Sequence, residues 1–316
     1  MTKYRTHLPQ LDGRLFLTDG GIETTLIFHD GFDLPHFAAF DLLREARGRA
    51  ALRQYYARHA AIASREGVGF ILESPTWRAS ADWGQQLGYT EAALAEANSD
   101  SIALMRELHE EFETPGSPMV ISGCIGPRGD GYDPGLVMSP TEAEAYHGRQ
   151  VRSFDEAGAD MVTAITLTNA NEAIGVVRAA RKNNLPVAIS FTVETDGRLP
   201  TGQALKEAIA EVDAATGNAP AYYMINCAHP THFTGVLAGG AWVERVCGLR
   251  ANASKRSHRE LNEAPDLDDG DPVELSSQYR DLRQRFGHIN VLGGCCGTDH
   301  RHIEQIVKAC RAAASA

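Results

Sequence analysis

One recurrence restricts the folds open to this chain more than any other feature. Eight short apolar runs, "RLFLTDGG", "GVGFILES", "PMVISGCIG", "DMVTAITLT", "PVAISFTV", "AYYMINC", "WVERVCGL" and "INVLGGCCG", are separated by longer segments with helical patterning. The runs are rich in Val and Ile and do not alternate strictly with polar residues. They therefore suit strands buried on both faces of a parallel sheet, which needs a crossover helix between successive strands. The helical segments are well punctuated. In "SPTEAEAYHGRQVRSFDEAG", Ser139 stands as N-cap, Pro140 sits in the first turn, Glu142 completes a capping box and Gly158 stops the helix. In "NEAIGVVRAARKNN", Ala173, Val176, Val177 and Ala180 line one face and the basic residues gather at the C-terminal end, the pattern of a helix covering a sheet. Eight such strand–helix units in 316 residues predict an α/β fold, a (β/α)8 TIM barrel running as a single domain over residues 1–316. A doubly wound sheet is the alternative, but "TDGGIETTL" lacks the G-x-G-x-x-G loop of its dinucleotide-binding form.

The formal net charge of -11 argues against nucleic-acid or anionic-membrane partners, which need a surplus of Lys and Arg on some face. Much of the acidity is local: Glu260, Glu263, Asp266, Asp268, Asp269, Asp271 and Glu274 crowd one stretch, expected to be a solvated loop after strand seven. The N-terminal residues lack the apolar segment of a secretion signal, and no 18 consecutive apolar residues occur, so the expectation is a cytoplasmic protein. In that reducing compartment six cysteines are expected to bind metal or pack in the core, not to form a disulfide framework.

Three of those cysteines converge if the barrel is right. Cys227 ends strand six in "MINCAHP", and the adjacent Cys295 and Cys296 end strand eight in "LGGCCGT", at the same rim. Three thiolates there could bind Zn²⁺, with one open position for a catalytic site or a closed fourth ligand for a structural one. Gly293, Gly294 and Gly297 would let the backbone bend enough for neighbouring sulfurs to reach one ion. Spacing alone leaves open the reading that Cys227 is a small buried hydrophobe and the pair incidental. Cys124, Cys247 and Cys310 have no such constellation, and core packing is expected of each.

The motifs "DGGIETTL", "SPTWRAS", "GCIGP", "EAGADMV", "INC" and "GGCCGT" fall after or within successive strands, and through them nearly the whole chain resembles the homocysteine S-methyltransferase family of zinc-dependent (β/α)8 barrels. The resemblance implies that Cys227, Cys295 and Cys296 are the zinc ligands. It implies a small-molecule thiol acceptor such as homocysteine and an onium methyl donor, giving methionine or a related thioether. It also implies that Asp19, Gly20 and Gly21 hold the acceptor's polar end, that Thr76 lies near the acceptor and that Asn226 orients a ligand. For each of these a local structural role stands as the alternative: an Asx turn at Asp19, a cap at Thr76, a backbone hydrogen bond at Asn226. His229 and His300 lie close to the zinc cysteines in sequence but are not taken as ligands. Trp77 and Tyr132 could face an onium donor or simply pack at the rim.

The chain departs from the family where many members carry an acceptor-binding glutamate near the end of strand four: in "DMVTAITLTNANEA" the matching residue is Ile165. An isoleucine cannot accept a hydrogen bond from an ammonium group, a contact that contributes about 1.5–3 kcal/mol. The expected acceptor is then not plain homocysteine, or is homocysteine held differently. Without the extensions of betaine-using relatives or the folate and corrinoid modules of large methionine synthases, the expected donor is of the S-methylmethionine or S-adenosylmethionine class. A corrinoid-delivered methyl group is an alternative, and a non-enzymatic zinc or thiol sensor is the rival from another class.

Overall fold

The computed structural model describes residues 2–264 and 266–312. In chain order its elements are β1 (Phe16–Leu17), the single turn α1 (Ile22–Thr24), α2 (Ala46–Glu66), β2 (Gly69–Glu73), α3 (Ala81–Gln86), α4 (Glu91–Phe112), β3 (Met119–Ile125), α5 (Pro140–Ala157), β4 (Met161–Leu167), α6 (Ala170–Lys182), β5 (Val187–Thr192), α7 (Leu205–Thr216), β6 (Tyr222–Asn226), α8 (Pro230–Phe233), β7 (Val246–Ala251), α9 (His258–Asn262), α10 (Pro272–Arg285), β8 (Val291–Gly294) and α11 (His300–Ala312). The eight strands pair in parallel and in sequence order, and β1 closes the ring by pairing with both β2 and β8. Each of the eight apolar runs thus marks one strand of a closed TIM barrel, seven of them containing it whole and the seventh ending two residues before β7 does.

Local signals that shape the helices are in place. Ser139 and Glu142 form both bonds of the capping box on α5, and Gly158 ends that helix at φ 82°, a left-handed angle that glycine adopts without a Cβ penalty. On α6, Ala173, Val176, Val177 and Ala180 are all buried. They join the larger apolar core, which lies between the sheet and the surrounding helices.

Inside the barrel a second apolar cluster, built from Phe16, Ile71, Val120, Met161, Ala188, Tyr222, Met224 and Val291, fills the lower half together with Leu8 from the N-terminal segment. Two residues further along each strand, on the same face, the interior turns polar. Ser122 and Thr163 share a 2.8 Å hydrogen bond, Ser190 donates to Asn226 at 2.6 Å, and Glu73 meets Arg250. The apolar floor fills the lower barrel, and the polar upper layer supports what stands at the C-terminal rim.

Two expectations need correction. Cys124 and Cys310 are buried, but Cys247, near the start of β7, is partly exposed at the opposite end of the barrel. The acidic stretch after β7 is not simply solvated. Glu260, Glu263, Asp266, Asp271 and Glu274 are exposed, yet Asp268 accepts from Ser254 at 2.7 Å and the Asp269 carbonyl lies 2.9 Å from His302 Nε2, pinning this segment against the loop after β8. Among the described residues no helix is long and apolar enough to cross a membrane.

Candidate metal centre

The sulfurs of Cys227, Cys295 and Cys296 all lie within 4.8 Å of one another, Cys227 buried and the other two partly exposed at the barrel mouth. Cys227 and Cys296 are 4.0 Å apart, and Cys227 and Cys295 are joined as a disulfide with Cα atoms 5.4 Å apart. That bond was not expected, and it uses two sulfurs that a metal would also use. The donor set fits zinc: three soft sulfur ligands on one side, with the partly exposed side left for a fourth. Neither His229 nor His300 joins the cluster. His229 instead caps α8, accepting from the Thr231 amide, and burial holds its imidazole down at about 4, so it is neutral at pH 7.

Backbone geometry brings the sulfurs together. Cys227 sits at φ 52°, its amide donating to the Arg250 carbonyl, while its own carbonyl is met by His258 Nε2. The Cys295 amide donates to the Ala251 carbonyl at 2.9 Å, and the Cys295 carbonyl accepts from the Thr298 amide and hydroxyl. Gly297 then turns the chain at φ 80°, where a Cβ would lie 2.6 Å from the Asp268 carbonyl oxygen. This turn lets two adjacent cysteines both end at the rim.

The loop after β1 is clamped onto the loop after β8. The Gly21 amide donates to the Thr298 carbonyl at 3.0 Å, and the Gly297 amide donates to Thr24 Oγ1 at 3.0 Å. A Cβ on Gly21 would stand 2.5 Å from the Cys295 carbonyl oxygen. Gly21→Ala is therefore expected to weaken any metal binding at these sulfurs by roughly 10–100-fold, the range for residues that orient metal ligands. Competition against a chromophoric chelator would measure it, with unchanged far-ultraviolet circular dichroism as the control for folding.

Beneath the sulfurs lies an ion cluster that the sequence did not announce. Arg250, on β7, pairs with Asp19 at 2.8 Å and with Glu73, and donates to the Gly20 and Gly294 carbonyls. Burial opposes the guanidinium charge, but Asp19 and Glu73 more than offset it and hold Arg250 above its usual range. Burial raises Glu73 despite Arg250. Asp19 also accepts from the Tyr55 hydroxyl at 2.8 Å, and the Gly20 amide donates to His59 Nε2 at 3.3 Å. Asp19 and Gly20 are thus fixed from below by β7 and α2.

Among the other residues singled out by the sequence, Thr76 is fully buried, sharing a 2.7 Å bond with Ser74 and donating to the Cys124 carbonyl at 2.7 Å. Asn226 accepts from the Thr166 amide at 2.8 Å and donates to the Thr166 hydroxyl at 2.8 Å, with its Nδ2 4.0 Å from Cys295 Sγ. It thereby holds Thr166 at φ 63°, an angle costly for a β-branched residue, at the register shift between β4 and β5. Ile165, within that shift, is partly exposed. Tyr132 places its hydroxyl 3.4 Å from Cys296 Sγ and its ring 4.0 Å from that of His258, forming one wall of the mouth. Burial pushes the Cys296 thiol up, which the Tyr132 bond only partly counters, so this thiol stays protonated at pH 7 unless a metal displaces the proton. Trp77 packs against the Arg78 guanidinium at 3.9 Å.

Arg250, Tyr55, His59 and His258 were not foreseen from sequence. The one available signal was Glu73, a carboxylate within the apolar run "GVGFILES" that calls for a buried cation.

The fold resembles that of homocysteine methyltransferase MmuM from Escherichia coli. Its oxidized form aligns with a TM-score of 0.74 at 20% identity, covering 95% of this chain and 97% of that one, and its metallated form with 0.73 at 19%, covering 95% and 98%. A methionine synthase from Mycobacterium leprae is 24% identical over 220 residues; the match takes in 65% of this chain and spans 17% of the length of that curated relative. The family model for homocysteine S-methyltransferase matches residues 16–310, which include every strand of the barrel and all three rim cysteines, and the chain belongs to that family.

Proposed function

We propose that this protein is a zinc-dependent S-methyltransferase that moves a methyl group from an onium donor of the S-methylmethionine or S-adenosylmethionine class to a small thiol such as homocysteine, yielding methionine or a related thioether. The observation that carries this reading is the convergence of Cys227, Cys295 and Cys296 at the C-terminal rim of a barrel of this family, where (β/α)8 enzymes keep their active sites. Zinc held by these three thiolates would supply an open position at which an acceptor thiol loses its proton.

The chain's own residues supply the rest. In the transfer a sulfur lone pair of the acceptor forms the new S–CH3 bond while the donor's S–CH3 bond breaks, its electron pair staying on the departing sulfur. The Arg250 cluster and the Gly21 to Thr298 clamp hold the loops of β1 and β8 in fixed register, which preserves alignment of the reacting atoms. Tyr132 and His258 cover the cysteines from one side and limit water there.

The test is methyl transfer from S-methylmethionine and S-adenosylmethionine to homocysteine, with the metal stripped and restored. Because the apolar floor and outer core carry the fold, chelation is expected to abolish transfer while the far-ultraviolet circular dichroism stays nearly unchanged, and added zinc should restore activity. Global unfolding on chelation would overturn the catalytic assignment. The Cys227–Cys295 disulfide supports a second reading, a thiol or metal sensor. Zinc binding without transfer from either donor would favour it.

A further inference from the structure

The carboxylates around the mouth differ in one respect. Asp19 and Glu73 are paired with Arg250, Glu172 with His147 and the Arg128 amide, and Glu194 lies 3.5 Å from His258. Glu23, on the turn after β1, has no ion pair or hydrogen bond to another side chain among the described residues and is only half-buried. Its surroundings are nonetheless low in water: burial, with Asp19 adding to it, pushes its carboxyl up to about 7 against the pull of Arg250 and Arg78. The Oγ1 of its neighbour Thr24 accepts from the amide of Gly297, one residue past Cys296, which places this turn beside the cysteine cluster.

Arg78 is the complementary case. It is 4% exposed and stacked between Trp77 and Trp83, each ring centroid 3.9 Å from the guanidinium carbon. Its Nη1 donates to the Gly129 carbonyl at 2.9 Å and its Nε has no partner. Among the described residues it has no ion pair; the charges of exposed Asp130 and of Glu23 act on it without one. A buried cation without an anion is costly, and an unpaired carboxylate on the loop of the adjacent strand adds to the anomaly. Both anomalies vanish if a zwitterion lies between the two charges.

We propose that Glu23 and Arg78 clamp the amino-acid head of the acceptor, Glu23 taking its α-ammonium and Arg78 its α-carboxylate while the thiol reaches toward Cys227, Cys295 and Cys296. This rests on the reading of the mouth as a thiol-acceptor site. It accounts for the chain's lack of a carboxylate at Ile165 and for Asp19, whose charge is already matched by Arg250. The clamp selects thiols that carry an α-amino-acid group, and it does so from the loops of β1 and β2 instead of the end of β4.

Calorimetric titration of the zinc-loaded protein with homocysteine, 4-mercaptobutanoate, which lacks the ammonium, and 3-aminopropanethiol, which lacks the carboxylate, tests it without any donor. The parent is expected to bind homocysteine at least about 10-fold more tightly than either analogue. Glu23→Gln should remove the preference over 4-mercaptobutanoate only, and Arg78→Gln the preference over 3-aminopropanethiol only. A merely structural role would weaken all three alike. Should Arg78→Gln fail to fold, Arg78→Lys serves the same arm, since an ammonium lacks the planar fork that meets a carboxylate at two points. The clamp is overturned if the parent binds the three thiols alike or if Glu23→Gln keeps its full preference for homocysteine. Selective binding with no methyl transfer from any sulfonium donor would overturn the proposed function and leave the clamp standing.

Discussion

Replacing Cys295 and Cys296 together with serine is expected to leave the purified protein without zinc and without methyl transfer, whereas the parent should carry about one zinc per chain. Serine keeps the size of the side chain but offers a hydroxyl that does not ionise at neutral pH, so the site keeps one soft ligand of three. The loss should exceed the roughly 100-fold seen when only supporting residues are changed. Elemental analysis of the parent and the double variant decides it, and full zinc in the variant would sink the metal assignment. The same sulfurs give a second arm to the experiment. Oxidation that closes the Cys227–Cys295 disulfide should expel the metal in step with activity, and reduction followed by added zinc should return both.

The largest expected effect on stability belongs to Arg250→Met. The substitution leaves Asp19 and Glu73 buried in the barrel interior without their cation, and breaking a buried pair in this way costs about 3–5 kcal/mol. At about 2–4 °C per kcal/mol, the melting temperature should drop by roughly 6–20 °C. The deficit should shrink in acid. In the folded variant burial, no longer opposed by Arg250, raises the Glu73 carboxyl above its unfolded value. The protonated form then favours folding, so stability is regained as the pH falls below that folded value toward the unfolded one, and is lost as the pH rises through the folded value. Thermal melts at several pH values between neutrality and pH 5 check both the size and the sign; a melting temperature within a degree or two of the parent at neutral pH would contradict the cluster's structural role.

The architecture was legible because it is written in local terms. Every strand falls in an apolar run, β7 alone continuing two residues past its end, and α5 begins and ends where Ser139 and Gly158 place it. The cysteine cluster was legible for a related reason: in a barrel, the ends of β6 and β8 necessarily share a rim. The residues beneath it were not. Arg250 follows the run "WVERVCGL", and its partners lie elsewhere, Asp19 in the loop after β1 and Glu73 on β2, so a lone arginine at a strand end carried no mark of the carboxylates it would meet. His258 stands at the head of a charged stretch that composition assigned to solvent, yet its ring meets the Cys227 carbonyl and stacks on Tyr132. Pairings that depend on which strands become neighbours are set by closure of the barrel, and no periodicity within a segment records them.

The 68 residues that separate Cys227 from Cys295 have a consequence for how the protein is made in the cell. A zinc finger gathers its ligands from a short stretch and can capture its ion as that stretch leaves the ribosome. Here the first thiol emerges roughly 3–14 s before the second and third at ordinary rates of synthesis. The sulfurs meet only after β7 and β8 have docked. In the zinc enzyme proposed above, metal loading would therefore follow folding, and a cell short of zinc would accumulate folded barrels whose cysteines are open to oxidation before they are ever metallated.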